Sequence, residues 1–124
     1  MSVQTIMTAD ESGADLVTFA QQTADILVKN NLTRSQIRTI FTEVRQIEAL
    51  WPGQEAVRRL TMLKPKLAYQ AARSGPVSHL RDVLTEAIDL VVKAPVDKQN
   101  ECFQRFVDLF EAILAYHRSQ GGKS

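Results

Sequence analysis

The stretch Glu55–Ser74 constrains the fold most, because only a helix sorts its residues into two unlike faces. At about 100° per residue, one side gathers the apolar residues Val57, Leu60, Leu63, Leu67 and Ala71. A second side carries Arg59, Lys66 and Arg73 at intervals of seven, and none of these cations has a carboxylate within the four residues that follow it. The apolar side requires a core, and the basic side is expected to face an anionic partner.

Two amphipathic helices are predicted upstream of this stretch. Ser12 and Asp15 have the spacing of a helix cap and its reciprocal acid, and apolar residues at helical spacing follow from about Ala14 to Lys29. Thr33 and Gln36 match a capping box, and the helical period after them continues to a Trp-Pro-Gly turn signal. Both helices have an apolar side that must be buried.

Two more helices are predicted downstream. Pro76 suits the first turn of a helix that reaches about Lys93, because that position needs no backbone N–H. Asp97 is the expected cap of the last helix, whose apolar residues recur every three or four positions from Phe103 to His117. This last pattern is typical of a helix at the centre of a core.

The five helices together predict an all-α fold, a compact five-helix bundle with short loops that forms a single domain over residues 1–124. Pro65 lacks the N–H that would bond to the Thr61 carbonyl, and it is expected to kink the third helix. Residues 1–11 are expected to be a loose arm, and residues 121–124 a flexible tail.

Composition narrows the class of protein. Hydrophobic residues make up 44% of the chain and charged residues 23%, which is ordinary for a globular domain. Cys102 is the only cysteine, so an internal disulfide is excluded. The first residues lack the features of a signal peptide, and no apolar run approaches the ~18 residues that a membrane span needs. A cytoplasmic protein without membrane contact is expected.

The net charge of +1 conceals an asymmetry along the chain. Residues 1–33 have one lysine against four acids, a net −3, and residues 82–124 have five basic residues against seven acids, a net −2. Residues 34–81 have nine basic residues against three acids, a net +6. A localised anion-binding face is one explanation of this excess, and a solvated face with no partner is the other.

No pattern of catalytic or metal-ligating residues is found. His79 and His117 are isolated from other ligand types, apart from a plausible surface pair of His79 with Asp82. Cys102 has no histidine nearby in the sequence, so a packed thiol is favoured over a nucleophile. The glycines are scattered and form no phosphate loop. We therefore expect no enzyme activity, no metal and no cofactor.

The remaining candidate site is a basic surface. A short Pro-Gly turn joins helices two and three, so these helices are expected to pack antiparallel and to bring their cations onto one face. Guanidinium groups suit phosphate because they are planar and permanently charged. The predicted phosphate-binding residues are Arg34, Arg38, Arg58, Arg59, Lys64, Lys66 and Arg73. By angle alone, Lys64 falls on the apolar side. Tyr69 is interpreted as cover for the helix rather than as a base-stacking group.

Three segments resemble one known family. They are LTRSQIRTIFTEV (residues 32–44), RRLTMLKPKLAYQAAR (58–73) and FVDLFEAILAYHRSQGG (106–122). These segments are similar to the small subunit of the type III-A CRISPR Csm effector complex, and they occur in the family's order. The end of the chain departs from the family, which often has an aromatic residue near Ser119 or Gln120.

The resemblance implies a non-catalytic, all-helical protein of RNA-guided antiviral defence. Small subunits of that family stack into a minor filament, and their basic residues contact the phosphates of guide RNA and target RNA. Cleavage belongs to the backbone and large subunits, and sequence is read by base pairing. The RNA-binding residues implied here are the seven cations named above. The partners implied are guide and target RNA, the backbone and large Csm subunits, and further copies of this chain in a dimer or short filament.

Other classes stay open at this point. A duplex-DNA regulator would use Ser35–Val44 as a recognition helix, although the Pro-Gly turn follows that segment rather than preceding it. A helical adaptor protein would leave the same charges solvated. The small subunit of the neighbouring type III-B complex would use them in the same way.

Overall fold

The computed structural model describes residues 2–123. Its helices are α1 (Val3–Ala9), α2 (Ala14–Lys29), α3 (Arg34–Leu50), α4 (Gln54–Arg73), α5 (Ser78–Lys93) and α6 (Val96–Ser119), with a 3₁₀ turn at Gly75–Val77. An isolated bridge between Thr33 and Lys123 is the only β-like pairing in this range. The all-α prediction is confirmed, but the described residues form six α-helices rather than five. None of these helices is both long and apolar enough to cross a membrane.

The loose arm expected over residues 1–11 is wrong for the part that the structure describes, because residues 2–11 include α1. Ser2 caps this helix, and its buried residues are Val3, Ile6 and Met7. Arg105 of α6 donates to the Ile6 carbonyl at 3.4 Å. A helix of seven residues is too short to be stable alone, so α1 depends on its packing against α5 and α6.

Helix α6 is the element around which the core assembles, since it packs against α2, α3 and α5 and also contacts α1. Its buried residues are Cys102, Phe103, Phe106, Val107, Leu109, Phe110, Ile113 and His117. Phe110 meets Phe41 of α3 edge-on, with the ring centroids 5.1 Å apart. Trp51, just after α3, stacks on Phe103 at a centroid distance of 3.9 Å. These aromatic contacts fix the position of α3 on α6.

The predicted caps are right for α3 and wrong for α6. Thr33 and Gln36 form both hydrogen bonds of the capping box at the start of α3. Helix α6 begins earlier than expected, with Pro95 at the cap position and Asp97 already in the first turn. An acid in the first turn still interacts favourably with the helix dipole, which explains why Asp97 has the pattern of a helix start.

The cap predicted for α2 is also wrong. The Asp10 carboxylate, and not the Ser12 hydroxyl, accepts hydrogen bonds from the N–H groups of Asp15 and Leu16, at 3.2 and 2.9 Å. Ser12 accepts only from the Ala14 N–H, at 3.2 Å. The carboxylate therefore satisfies the free amides of the first turn from further upstream than a capping-box pattern allows.

Helix α4 continues through Pro65 and packs antiparallel to α3, as the short turn between them predicts. Gln36 near the start of α3 donates to the Ser74 hydroxyl after the end of α4, at 2.9 Å. Arg59 near the start of α4 donates to Gln46 near the end of α3, at 3.2 Å. This arrangement places the cations of α3 and α4 along neighbouring helices.

The flexible tail expected at 121–124 is wrong for residues 121–123, and residue 124 lies outside the described range. The His117 side chain is only 1% exposed, and its Nε2 lies 2.7 Å from the Leu32 carbonyl oxygen. The Lys123 carbonyl accepts a hydrogen bond from the Arg34 N–H at 2.6 Å. The end of the chain therefore folds back onto the start of α3.

Gly122→Ala is expected to destabilise the fold, because a Cβ at this position would collide with the buried His117 ring. We expect a loss of about 1–3 kcal/mol in the free energy of unfolding, measured by chemical denaturation. Gly75→Ala is the matched control, since nothing lies within 4 Å of a Cβ there, and its effect should stay within about 0.5 kcal/mol. Equal effects in both variants would contradict a tight contact between the tail and His117.

Candidate nucleic-acid interface

Three arginines from distant parts of the chain meet beside the first half of α3. Arg34 and Arg38 lie one turn apart on α3, and Arg118 extends from the last turn of α6. Together with Ser35, Thr39 and Thr42, they line an open groove of about 430 Å³, which we call the basic groove. Arg34 and Arg38 are among the residues predicted from the sequence, whereas Arg118 is not. Its position depends on how α6 docks against α3, which no periodicity within one helix reveals.

The donors that the basic groove offers are mainly its guanidinium groups. The hydroxyls of Thr39 and Thr42 each donate at 2.9 Å to a backbone carbonyl four residues earlier, so their hydrogens are already used. A guanidinium presents several N–H donors in a planar fork and stays charged at any physiological pH. The groove is therefore suited to a ligand that only accepts hydrogen bonds and carries negative charge.

The positive charge of the basic groove is not neutralised within residues 2–123. In that range Arg34, Arg38 and Arg118 have no carboxylate within ion-pair distance. The Nε of Arg34 is enclosed and lacks a hydrogen-bond partner in the same range. Like charges held together in a concave surface raise the local positive potential, which favours an anionic ligand.

Arg59 and Lys66, by contrast, share a carboxylate that the sequence pattern of α4 does not reveal. Glu43 of α3 lies 2.9 Å from the Lys66 Nζ and 3.5 Å from a terminal nitrogen of Arg59. The hydrogen bond from Lys66, reinforced by the charge of Arg59, holds the pKa of the Glu43 carboxyl below its ordinary value. The absence of a carboxylate within the next four residues therefore does not leave these two cations unpaired, because their partner lies on the neighbouring helix.

The seven predicted cations do not gather in one place. Lys64 pairs with Asp89 of α5. This agrees with the position that about 100° per residue gives it, on the side of α4 that packs against the core. Arg58 is exposed near the start of α4, far along the helix from Arg73 in its last turn. Only Arg34, Arg38 and Arg73 lie near the start of α3, and the first two belong to the basic groove.

Arg73 lines a second open hollow, of about 310 Å³, that adjoins the basic groove. Ser35 and Thr39 line both depressions, so the two are neighbours on the exposed side of α3. The Arg73 guanidinium carbon lies 5.7 Å from the centroid of the Tyr69 ring. Tyr69 is 63% exposed and so covers little of the helix, unlike the side chain expected from the sequence.

The titratable groups elsewhere offer no further site among the described residues. No three His, Cys, Asp or Glu side chains between residues 2 and 123 come together as metal ligands would. Cys102 lies in the second turn of α6 rather than at its start, and burial raises the pKa of its thiol. The packed thiol predicted from the sequence is confirmed, since Cys102 is buried in the core.

Glu43→Gln is expected to lower stability only where the carboxyl is ionised. Since the pKa of Glu43 is lowered in the folded protein, its pairing contributes stability above about pH 5 that is lost progressively as the pH falls below 4. The thermal midpoint of the variant should be lower by about 1–4 °C at pH 7, and the difference should be smaller near pH 3. Glu86→Gln removes an exposed carboxylate of α5 as a control and should have little effect at either pH. A deficit that is as large at pH 3 as at pH 7 would indicate lost packing instead.

Comparison with known proteins gives one match. A family model described as Csm2 Type III-A matches residues 10–123, from the turn before α2 through the end of the described range. Searches of the curated proteins and of the solved structures gave no significant match. The matched residues include the basic groove and all of α3, α4 and α6. Since this match covers nearly the whole chain, the chain belongs to the Csm2 family of small subunits of the type III-A CRISPR Csm complex.

Proposed function

We propose that this chain contacts the phosphate backbone of guide and target RNA through the basic groove, and that its other surfaces hold neighbouring copies and the backbone and large Csm subunits. Membership of the Csm2 family makes it a structural small subunit that works with the other subunits of that complex. The RNA contact and the scaffolding role are the proposal. The observation that carries it is the cluster Arg34, Arg38 and Arg118, which has no counter-carboxylate within residues 2–123.

Phosphate is the ligand that fits the chemistry of this groove best. Its oxygens are acceptors only and carry charge, and they pair with guanidinium in a charge-assisted, often bidentate geometry. The hydroxyls of Thr39 and Thr42 donate to the backbone, so they offer little for distinguishing one base edge from another. Binding is therefore expected to be independent of sequence, which suits a complex in which guide–target pairing reads the sequence.

The contacts of Arg59 and Lys66 make these residues secondary in the proposal. Each would have to exchange its pairing with Glu43 for a phosphate, so the gain in binding free energy would be partly offset. Arg38 and Arg118 have no such pairing to lose within the described range, and both are exposed. They are the residues to change first.

Arg38→Gln combined with Arg118→Gln is expected to weaken binding to an unstructured single-stranded RNA about 10- to 30-fold near 0.1 M salt. The logarithm of the binding constant falls linearly with the logarithm of the salt concentration. Each arginine removed from a phosphate contact should make this slope shallower by about 0.7, so the double variant should make it shallower by about 1.4. Fluorescence anisotropy over a salt series measures both quantities. Arg34 is left unchanged because its Nε is enclosed, so replacing its side chain would alter packing as well as charge.

Lys93→Gln combined with Lys98→Gln is the matched control, because it removes the same charge from exposed positions. Lys98 lies in the first turn of α6, roughly 30 Å along the helix from Arg118 in its last turn. The control should bind RNA within about twofold of the unchanged chain. An equal loss in both double variants would contradict a localised groove and would attribute binding to net charge.

The same titrations separate the alternative functions. Tighter binding to duplex DNA than to RNA would favour a DNA-binding regulator over the proposal. A complete lack of salt-sensitive binding would favour a helical adaptor whose charges are solvated. Copurification of the chain with guide RNA and the other Csm subunits from its host tests the scaffolding role directly, and its failure would contradict that role.

A further inference from the structure

The exposed side of α4 carries two large apolar side chains that the core does not use. Met62 is 51% exposed and Tyr69 is 63% exposed. They lie two helical turns apart and alternate with cations, since Arg58 precedes Met62 and Arg73 follows Tyr69. Arg58, Met62, Tyr69 and Arg73 therefore form a row of apolar and positively charged side chains that faces solvent.

Tyr69 differs from Met62 because a cation holds its ring. The Arg73 guanidinium carbon lies 5.7 Å from the ring centroid, within the range of a cation–π contact between residues four apart on a helix. In residues 2–123 Arg73 has no carboxylate within ion-pair distance, so its charge is not committed elsewhere. The ring is thus held in place while most of its surface stays open to solvent.

The surroundings of this ring connect it to the basic groove. Arg73 lines the 310 Å³ hollow together with Gln70 and Ser74 of α4. The same hollow is bounded by Ser35 and Thr39, which also line the basic groove. A strand whose phosphates lie along Arg34, Arg38 and Arg118 would reach Arg73, and with it the edge of the Tyr69 site, by crossing Ser35 and Thr39.

We propose that Tyr69, held by Arg73, is a stacking platform for one unpaired nucleobase of the RNA strand that the basic groove binds. This inference rests on the proposed function, because the phosphates must first be held in the groove. Every base has a flat π-face, so stacking on tyrosine adds affinity without reading sequence. A continuous duplex keeps its base faces stacked inside the helix, so the platform favours a strand with an unpaired or displaced base.

The test compares two ligands of equal length and charge: an unstructured RNA strand and an abasic ribose-phosphate strand. The unchanged chain should bind the RNA about tenfold more tightly than the abasic strand. Tyr69→Ala should lower affinity for the RNA to the abasic level and leave abasic binding unchanged. Tyr69→Phe, which keeps the ring, should retain most of the preference. Met62→Ala is the matched control, since it removes an exposed apolar side chain without a π-face, and it should change neither affinity.

The outcomes separate failure of this inference from failure of the proposed function. Equal affinity for the two ligands, combined with a loss for both in the Arg38→Gln/Arg118→Gln variant, would overturn the platform and leave the phosphate contact intact. Unchanged affinity of that double variant for both ligands would overturn both proposals. Circular dichroism checks that helicity is preserved in each variant, which is expected because the changed side chains are exposed.

Discussion

The burial of α6 is the constraint on which the rest of the structure depends. Burying each large apolar side chain contributes roughly 1.5–3 kcal/mol, and α6 places one on nearly every turn facing α2, α3 or α5. The hydrogen bond from its last turn, between His117 and the Leu32 carbonyl, ties the residues just before α3 to α6 and so helps to position the start of α3. That position in turn decides which charges lie next to Arg118. The basic groove is therefore a consequence of core packing at one end of a single helix.

The net charge of a sequence segment does not predict where unpaired positive charge lies on the folded surface. The middle of the chain has a large excess of cations, yet Glu43 and Asp89 come from neighbouring helices to pair with Arg59, Lys66 and Lys64. The cluster of arginines without ion pairs in the basic groove instead includes Arg118, from a segment whose net charge is negative. Ion pairs between helices thus redistribute the positive surface toward the start of α3. A neighbouring carboxylate within a few ångströms matters more to a bound phosphate than the charge of a whole segment.

The helices themselves could be predicted from the sequence, because capping residues, turn signals and periodicity are local. The range of α2 and the capping box at Thr33 and Gln36 are as predicted. Helix α1 could not be predicted in this way, since seven residues form a stable helix only against a surface supplied by distant parts of the chain. The pairing of Glu43 and the position of Arg118 were missed for the same reason. Both depend on contacts between helices, whereas the proximity of Arg34 and Arg38 could be predicted from their spacing within a single helix.

The clustering of Arg34, Arg38 and Arg118 has an energetic consequence for the free protein. Three like charges brought together by folding repel one another, so the groove must lower the stability of the folded chain relative to the unfolded one. An anionic ligand that binds only the assembled cluster relieves this repulsion and stabilises the fold by mass action. Because the folded-back tail bonds to the backbone of Arg34, that stabilisation should extend to the docking of the last residues. Folding at this end of the molecule and occupancy of the groove are thus thermodynamically linked.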